Sequence, residues 1–209
     1  PVALIAARQW RAFAAAAATV VALYGASVVV FGVESWTAYF AGSTSRHYDG
    51  LLGDAVGPFL NVSAAPFIAA RILGADAAGR IAVQIAFTAV AAIGVWAAFR
   101  RPVDPALRNA ILMSAVMLAS PFGYFYDLPA VGVAVLIAYR EGIRTGFMSG
   151  ERLVLVAAWL VPIVIVAVNK QGVPLGPVAL LALFAVLCAR AFGWTSLSRL
   201  APEPPAVRV

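Results

Sequence analysis

In a chain of 209 residues of which 63% are hydrophobic and 11% charged, polar side chains are few enough to weigh one by one. The single histidine, His47, stands in the run Ser43-Thr44-Ser45-Arg46-His47-Tyr48-Asp49. An imidazole titrating near pH ~6.5 can act as acid, base or phosphate ligand. It can equally be a solvated loop residue beside a turn at Asp49-Gly50. Arg71, Arg80 and Lys170 could bind a phosphate at a membrane surface, because a guanidinium matches phosphate oxygens bidentately. The alternative for Arg80 and Lys170 is snorkelling to the interface. Arg80, Gln84 and Thr88 follow one another at intervals of four, so they share a helix face. A polar stripe in a span faces other helices or a water-filled cavity, and Gln84 could also make a packing hydrogen bond. The segment Ser120-Pro121-Phe122-Gly123-Tyr124-Phe125-Tyr126-Asp127-Leu128-Pro129 places aromatics, Tyr126 among them, beside a carboxylate. Asp127 reads either as a carboxylate lining a substrate cleft or as an N-cap with Pro129 in the first helical turn. One cysteine, Cys188, and one histidine exclude a disulfide framework and a multi-cysteine or multi-histidine metal site. No metal site is expected within the chain and no cofactor is indicated, a divalent metal being the one possibility left open.

These residues need elements to hold them, and composition decides which. A soluble domain carries about 25% charged residues; nine acids and fifteen Lys/Arg cannot coat one of this size, and the mean hydropathy is +0.93. That excludes an ordinary soluble enzyme and a disordered chain. A net charge of +6 is better spent orienting membrane spans than binding nucleic acid.

A span needs about 20 mostly apolar residues. Stretches free of Asp, Glu, Lys and Arg occur at Ala12–Val33, Ile81–Phe99, Asn109–Tyr126 (with Pro121 ending the helix early), Leu128–Tyr139 (short, borrowing its flanks), Leu153–Asn169 and Gln171–Ala189. The fold expected is therefore an all-α integral membrane protein, a polytopic bundle of about six transmembrane helices. Ala55–Ala70 is also charge-free, but Pro58, Asn61 and Pro66 suit an interfacial or re-entrant helix in the first outer loop better than a seventh span. Six spans divide the basic residues eleven to four, with only Arg46, Arg71, Arg80 and Lys170 on the sparse side. The positive-inside rule then puts both termini in the cytoplasm and the Ser120–Asp127 and Asn169–Lys170 turns outside. Residues 1–200 form the bundle and 201–209 a proline-rich disordered tail. Pro162 is a point at which the fifth span could break, as the helices of transporters do.

Three segments in order resemble glycosyltransferase family 87: Gly32-Val33-Glu34-Ser35-Trp36; Phe67-Ile68-Ala69-Ala70-Arg71-Ile72-Leu73-Gly74 followed by Val83-Gln84; and Ser120-Pro121-Phe122 through Tyr126-Asp127-Leu128. The resemblance extends over roughly Trp10–Gly193 as the C-terminal half of such a protein. It implies a partial GT-C-type bundle in a bacterial-type inner membrane. The implied reaction is a hexosyl transfer, of mannose in this family, from a polyprenyl-phosphate donor to an extracytoplasmic glycan or glycolipid. By the same resemblance the principal catalytic Asp precedes Pro1. This half would supply a cleft wall, phosphate contacts from Arg71, Arg80 or Lys170, and secondary polar groups such as His47. The competing reading is a polytopic transporter or flippase-like protein.

Overall fold

The computed structural model describes residues 1–52 and 60–193, with side chains described for 1–42 and 60–193. The described residues are helical, and one antiparallel bridge pairs Ser63 with Tyr124. The chain divides into two units, 1–60 and 61–209.

The first unit consists of a short helix α1 (Val2–Ala6) and a long helix α2 (Trp10–Leu52), broken at Gly32 by φ 76, ψ 159. Glycine populates that region because it has no Cβ to clash. The arm before the break, Trp10–Phe31, has 22 residues and is about 33 Å long, enough to cross a bilayer. It is the span expected at Ala12–Val33. His47 falls on the backbone of the second arm; its side chain, like that of Asp49, and the tail 201–209 lie outside what is described.

The second unit is a bundle of five antiparallel helices with a short sixth tucked into one end. The short one is α3 (Pro66–Ile72); the five are α4 (Ala77–Arg100), α5 (Pro105–Ala119), α6 (Pro129–Thr145), α7 (Glu151–Lys170) and α8 (Gly176–Phe192). Their ends are set locally. Asp76 caps α4 by accepting from Gly79 N at 2.8 Å. Asp104 caps α5, accepting from Ala106 N at 2.9 Å and Leu107 N at 3.3 Å, with Pro105 in the first turn. Pro121 stops α5 at Ala119, as the sequence predicts, since the residue before proline avoids helical backbone. The short apolar stretch Leu128–Tyr139 does take its C-terminal flank, becoming the 17 residues of α6.

Two sequence expectations change. Pro162 does not break the fifth span: α7 runs continuously from Glu151 to Lys170 with the proline inside it. The last helix begins at Gly176, later than Gln171, because Gly172 turns the chain with φ 75 and the turn through Leu175 precedes it. By length and apolarity, Trp10–Gly42, α4 and α7 can cross a membrane, whereas α5, with 15 residues, and α6 and α8, with 17 each, are shorter. The described part of the Ala55–Ala70 stretch contributes α3, whose seven residues cannot span; Pro66 to Arg71 are all buried. The element is a short dip into the bundle.

Helix α5 is central, packing against α4, α6 and α8. Small side chains allow the close approach: Ala98, Ala110, Ser114, Ala134 and Ala138 have no exposed surface. In lipid, where apolar surface gains nothing by leaving its solvent, such close backbone packing supplies the association energy. A close approach joins α4 to α8 at Gly94. A Cβ there would overlap Phe184 Cζ and stand 2.9 Å from its Cε1 and 3.3 Å from Cys188 Sγ. Gly94→Ala is therefore expected to lower stability by about 1–3 kcal/mol by overpacking. Adding Phe184→Leu should recover most of the loss, read as the midpoint of thermal unfolding in detergent.

Candidate functional site

The end of the bundle that carries α3 gathers nearly all the polar residues that sequence singles out. Residues 61–65 lie across it, a turn at 61–62 leading into the bridge residue Ser63. Ala64 N donates to Gly123 O at 2.8 Å and Phe125 N to Val62 O at 2.8 Å, pinning this segment to the Ser120–Asp127 turn. Ser63 Oγ donates to Gly123 O at 2.9 Å and accepts from Ala65 N at 3.1 Å. From α7, Asn169 Nδ2 donates to Asn61 O at 3.1 Å and Ser63 O at 3.0 Å. Asn169 is 4% exposed, and its Oδ1 is buried without a hydrogen-bond partner. A buried acceptor left open is uncommon and is completed by water or a ligand donor.

Gln84 ties α3 and α5 to α4. Its Oε1 accepts from Phe67 N at 3.2 Å; its Nε2 donates to Leu118 O at 3.1 Å and to Thr88 Oγ1 at 3.3 Å. Thr88 Oγ1 in turn donates to Ala119 O at 3.4 Å. The Gln84–Thr88 part of the polar stripe thus faces other helices and joins them, the packing alternative among those its spacing leaves open.

Both arginines of this end are buried, Arg71 at 9% exposure and Arg80 at 8%. They are close in the chain path: Arg71 ends α3, the chain turns through Gly74 with φ 84, and Arg80 occupies the first turn of α4, its Nε donating to Ala75 O at 2.7 Å. Lys170 is exposed at the end of α7, beside buried Asn169.

Asp127 is exposed and closes a one-turn 3-10 helix, Phe125–Asp127, accepting from Tyr124 N at 3.1 Å. It is a cap, but not the one expected. Leu128 occupies the N-cap of α6 with Pro129 next, so Asp127 serves the preceding turn. Exposed Tyr126 stacks on Tyr124 with centroids 5.4 Å apart. Partial burial, then the neighbouring Tyr126 and the Asp127 charge, raise the Tyr124 pKa above its usual 10.0.

The opposite end is built differently. Its arginines lie on rings: Arg100 over Trp96, Arg101 over Phe192, Arg108 over Phe99 and Arg152 over Phe147, all between 4.6 and 5.0 Å. Arg190 makes a buried bidentate pair with Glu151 and also donates to Thr145 Oγ1 and Gly146 O, both at 2.9 Å. These contacts close that end of the bundle, where Arg108 Nε is buried without a hydrogen-bond partner; the α3 end holds Arg71, Arg80 and Lys170 together with the Asn169 acceptor and the exposed Asp127 carboxylate.

The model of glycosyltransferase family 87 matches residues 1–121, more than half of the sequence. The chain belongs to that family. It is a membrane glycosyltransferase built of apolar helices. No curated protein and no solved structure matches it. The match takes in α2 through α5, and with them Arg71, Arg80 and Gln84, two of the three segments on which the resemblance rests. The third begins at its edge, so Tyr126, Asp127, Asn169 and Lys170 stand beyond the matched residues of this family 87 chain.

Sequence reasoning passed over Ser63, Asn169 and the Glu151–Arg190 pair. Asn169 did carry a signal, as an amide interrupting an apolar run just before Lys170. Ser63 and Glu151 carried none, because their partners lie on other elements.

Proposed function

We propose that this family 87 glycosyltransferase moves a hexose, mannose by its resemblance, from a polyprenyl-phosphate donor to an acceptor hydroxyl on the extracytoplasmic side. The α3 end of the bundle would contribute to the site. The observation that carries this reading is the placement of Arg71, Arg80 and Lys170 at one end of an apolar bundle, together with the aromatic turn and Asp127. A polyprenyl donor keeps its tail among lipid chains and its phosphate at the interface, so it needs cations at that depth. As the bond between the sugar's anomeric carbon and the phosphate oxygen breaks, negative charge grows on the leaving polyprenyl phosphate. Fixed cations stabilise that charge. The acceptor oxygen forms the new glycosidic bond, and its proton passes to a base. His47 and Asp127 are the proton-transfer candidates within this chain, Tyr126 a flat surface for the sugar, and Gln84 the residue that positions α3. The excess of arginine at the opposite end supports a cytoplasmic placement of that end.

The test is transfer from a labelled polyprenyl-phosphate mannose by the full-length protein in membranes, with nucleotide sugars as the competing donors. Lys170→Gln, at an exposed position outside the packed interior, is expected to raise the donor KM about tenfold, the lower range for a hydrogen bond to a charged group. Use of nucleotide sugars alone would overturn the reading.

A further inference from the structure

The break in α2 shapes a second feature, wholly within the first unit. In a straight helix Tyr24 and Trp36 would be about 18 Å apart along the axis; their ring centroids are 4.7 Å apart. Gly32 lets the chain fold Trp36 back, and Trp36 Nε1 donates to Ser27 Oγ at 3.2 Å. Trp36 also meets Tyr39 and Phe40, at 6.2 and 5.7 Å. Between these groups opens a recess of about 280 Å³ lined by Ser27, Phe31, Ser35, Trp36 and Tyr39.

The geometry points to a hexose-binding recess at the membrane interface. Electron-rich aromatic faces attract the positively polarised C–H face of a pyranose; Ser27 Oγ, which accepts from Trp36 Nε1, can still donate to a sugar hydroxyl, and Ser35 Oγ, which donates to Phe31 O at 2.6 Å, can still accept from one. The volume is just below the ~300–1,000 Å³ of small-molecule pockets, so it suits one sugar ring and not an oligosaccharide. Depth argues the same way. The apolar arm Trp10–Phe31 crosses about 33 Å, slightly more than a hydrocarbon core of about 30 Å. The recess therefore lies where that arm emerges, at the level of a lipid headgroup. A prenyl tail would lie deeper and would use no hydroxyls. The inference deepens the proposed transfer, resting on it for the hexose being a substrate, but hexose binding can be read without any transfer.

The experiment uses the full chain in lipid nanodiscs with Trp36 as sole tryptophan, the other four being replaced by phenylalanine. Titration with methyl mannoside and methyl glucoside is expected to shift Trp36 emission saturably. Tyr39→Leu should weaken that binding at least tenfold. A parallel titration with farnesol is expected to give no saturable shift. A silent hexoside titration, or a farnesol response equal to it, overturns the recess. In the transfer assay Trp36→Leu is expected to raise KM at least tenfold with kcat little changed. If nucleotide sugars prove to be the donors while hexosides still report at Trp36, the donor reading fails and the recess stands. If polyprenyl-phosphate transfer proceeds while the hexoside titration is silent, the recess fails alone.

Discussion

Glu151→Gln is expected to cost the helical bundle about 3–5 kcal/mol, the usual loss when one partner of a buried ion pair is removed. Glu151 is 1% exposed and the Arg190 side chain 4%. The carboxylate takes both guanidinium bonds, and its Oε2 also accepts from Met148 N at 2.8 Å. Glutamine keeps the size but leaves Arg190 as a buried charge without its counter-ion. It also puts an amide donor opposite guanidinium donors. The pair links the start of α7 to the end of α8 and, through Thr145 and Gly146, to the end of α6. The loss should therefore appear as one cooperative fall in the detergent unfolding midpoint, with Arg190→Leu behaving alike. The double replacement Glu151→Leu with Arg190→Leu should be much milder than the sum, because it removes the stranded charge as well as the bond. Additive losses would show that the pair is not coupled.

Gln84→Leu should have the next largest effect. It strips the partner from Phe67 N and from Leu118 O, both in buried surroundings, at about 1–3 kcal/mol for each group left unsatisfied. The consequence for ligand binding follows from position. Without the Gln84 amide, α3 loses its hydrogen bond to α4, and α3 carries Arg71. Binding of polyprenyl phosphate is expected to weaken in step with the loss of stability, read as ligand-induced protection in the same unfolding assay. A Gln84 that touched the ligand directly would behave differently: Gln84→Leu would then abolish ligand-induced protection outright, beyond what the fall in the unfolding midpoint accounts for.

The charge-free runs of the sequence mark where each long helix lies because a span must be apolar along its whole length, and prolines mark where one stops. Pro121 announces the end of α5 for that reason. Pro162 misleads because a proline inside a packed helix removes one backbone donor, and neighbouring helices can absorb that loss. The division between joining and binding groups is not legible. Gln84 and Asp127 have types that suit either role, and only their partners, Phe67 N and Leu118 O for one and Tyr124 N for the other, decide what they hold. The Glu151–Arg190 pair is illegible for a related reason: nothing local connects two residues 39 positions apart. Gly32 is the intermediate case. Its place in Gly32-Val33-Glu34-Ser35-Trp36 draws attention to the segment, but a glycine alone does not announce that the helix folds back there.

The 17-residue α6 has a consequence for a surrounding bilayer. It is about 25 Å long, while the hydrocarbon layer is about 30 Å thick, and its outer face shows Val133, Leu136, Tyr139 and Ile143. Phe125 and Tyr126, exposed just before it, are the type of residue that settles at the headgroup level. Set across a bilayer, they would draw its surface down on this flank, a local thinning that costs only fractions of a kcal/mol per ångström. Headgroups there would ride lower than those beside α4, which has 24 residues. The slope in the membrane itself would deliver a lipid phosphate sideways, toward the α3 end, without its having to rise out of the leaflet.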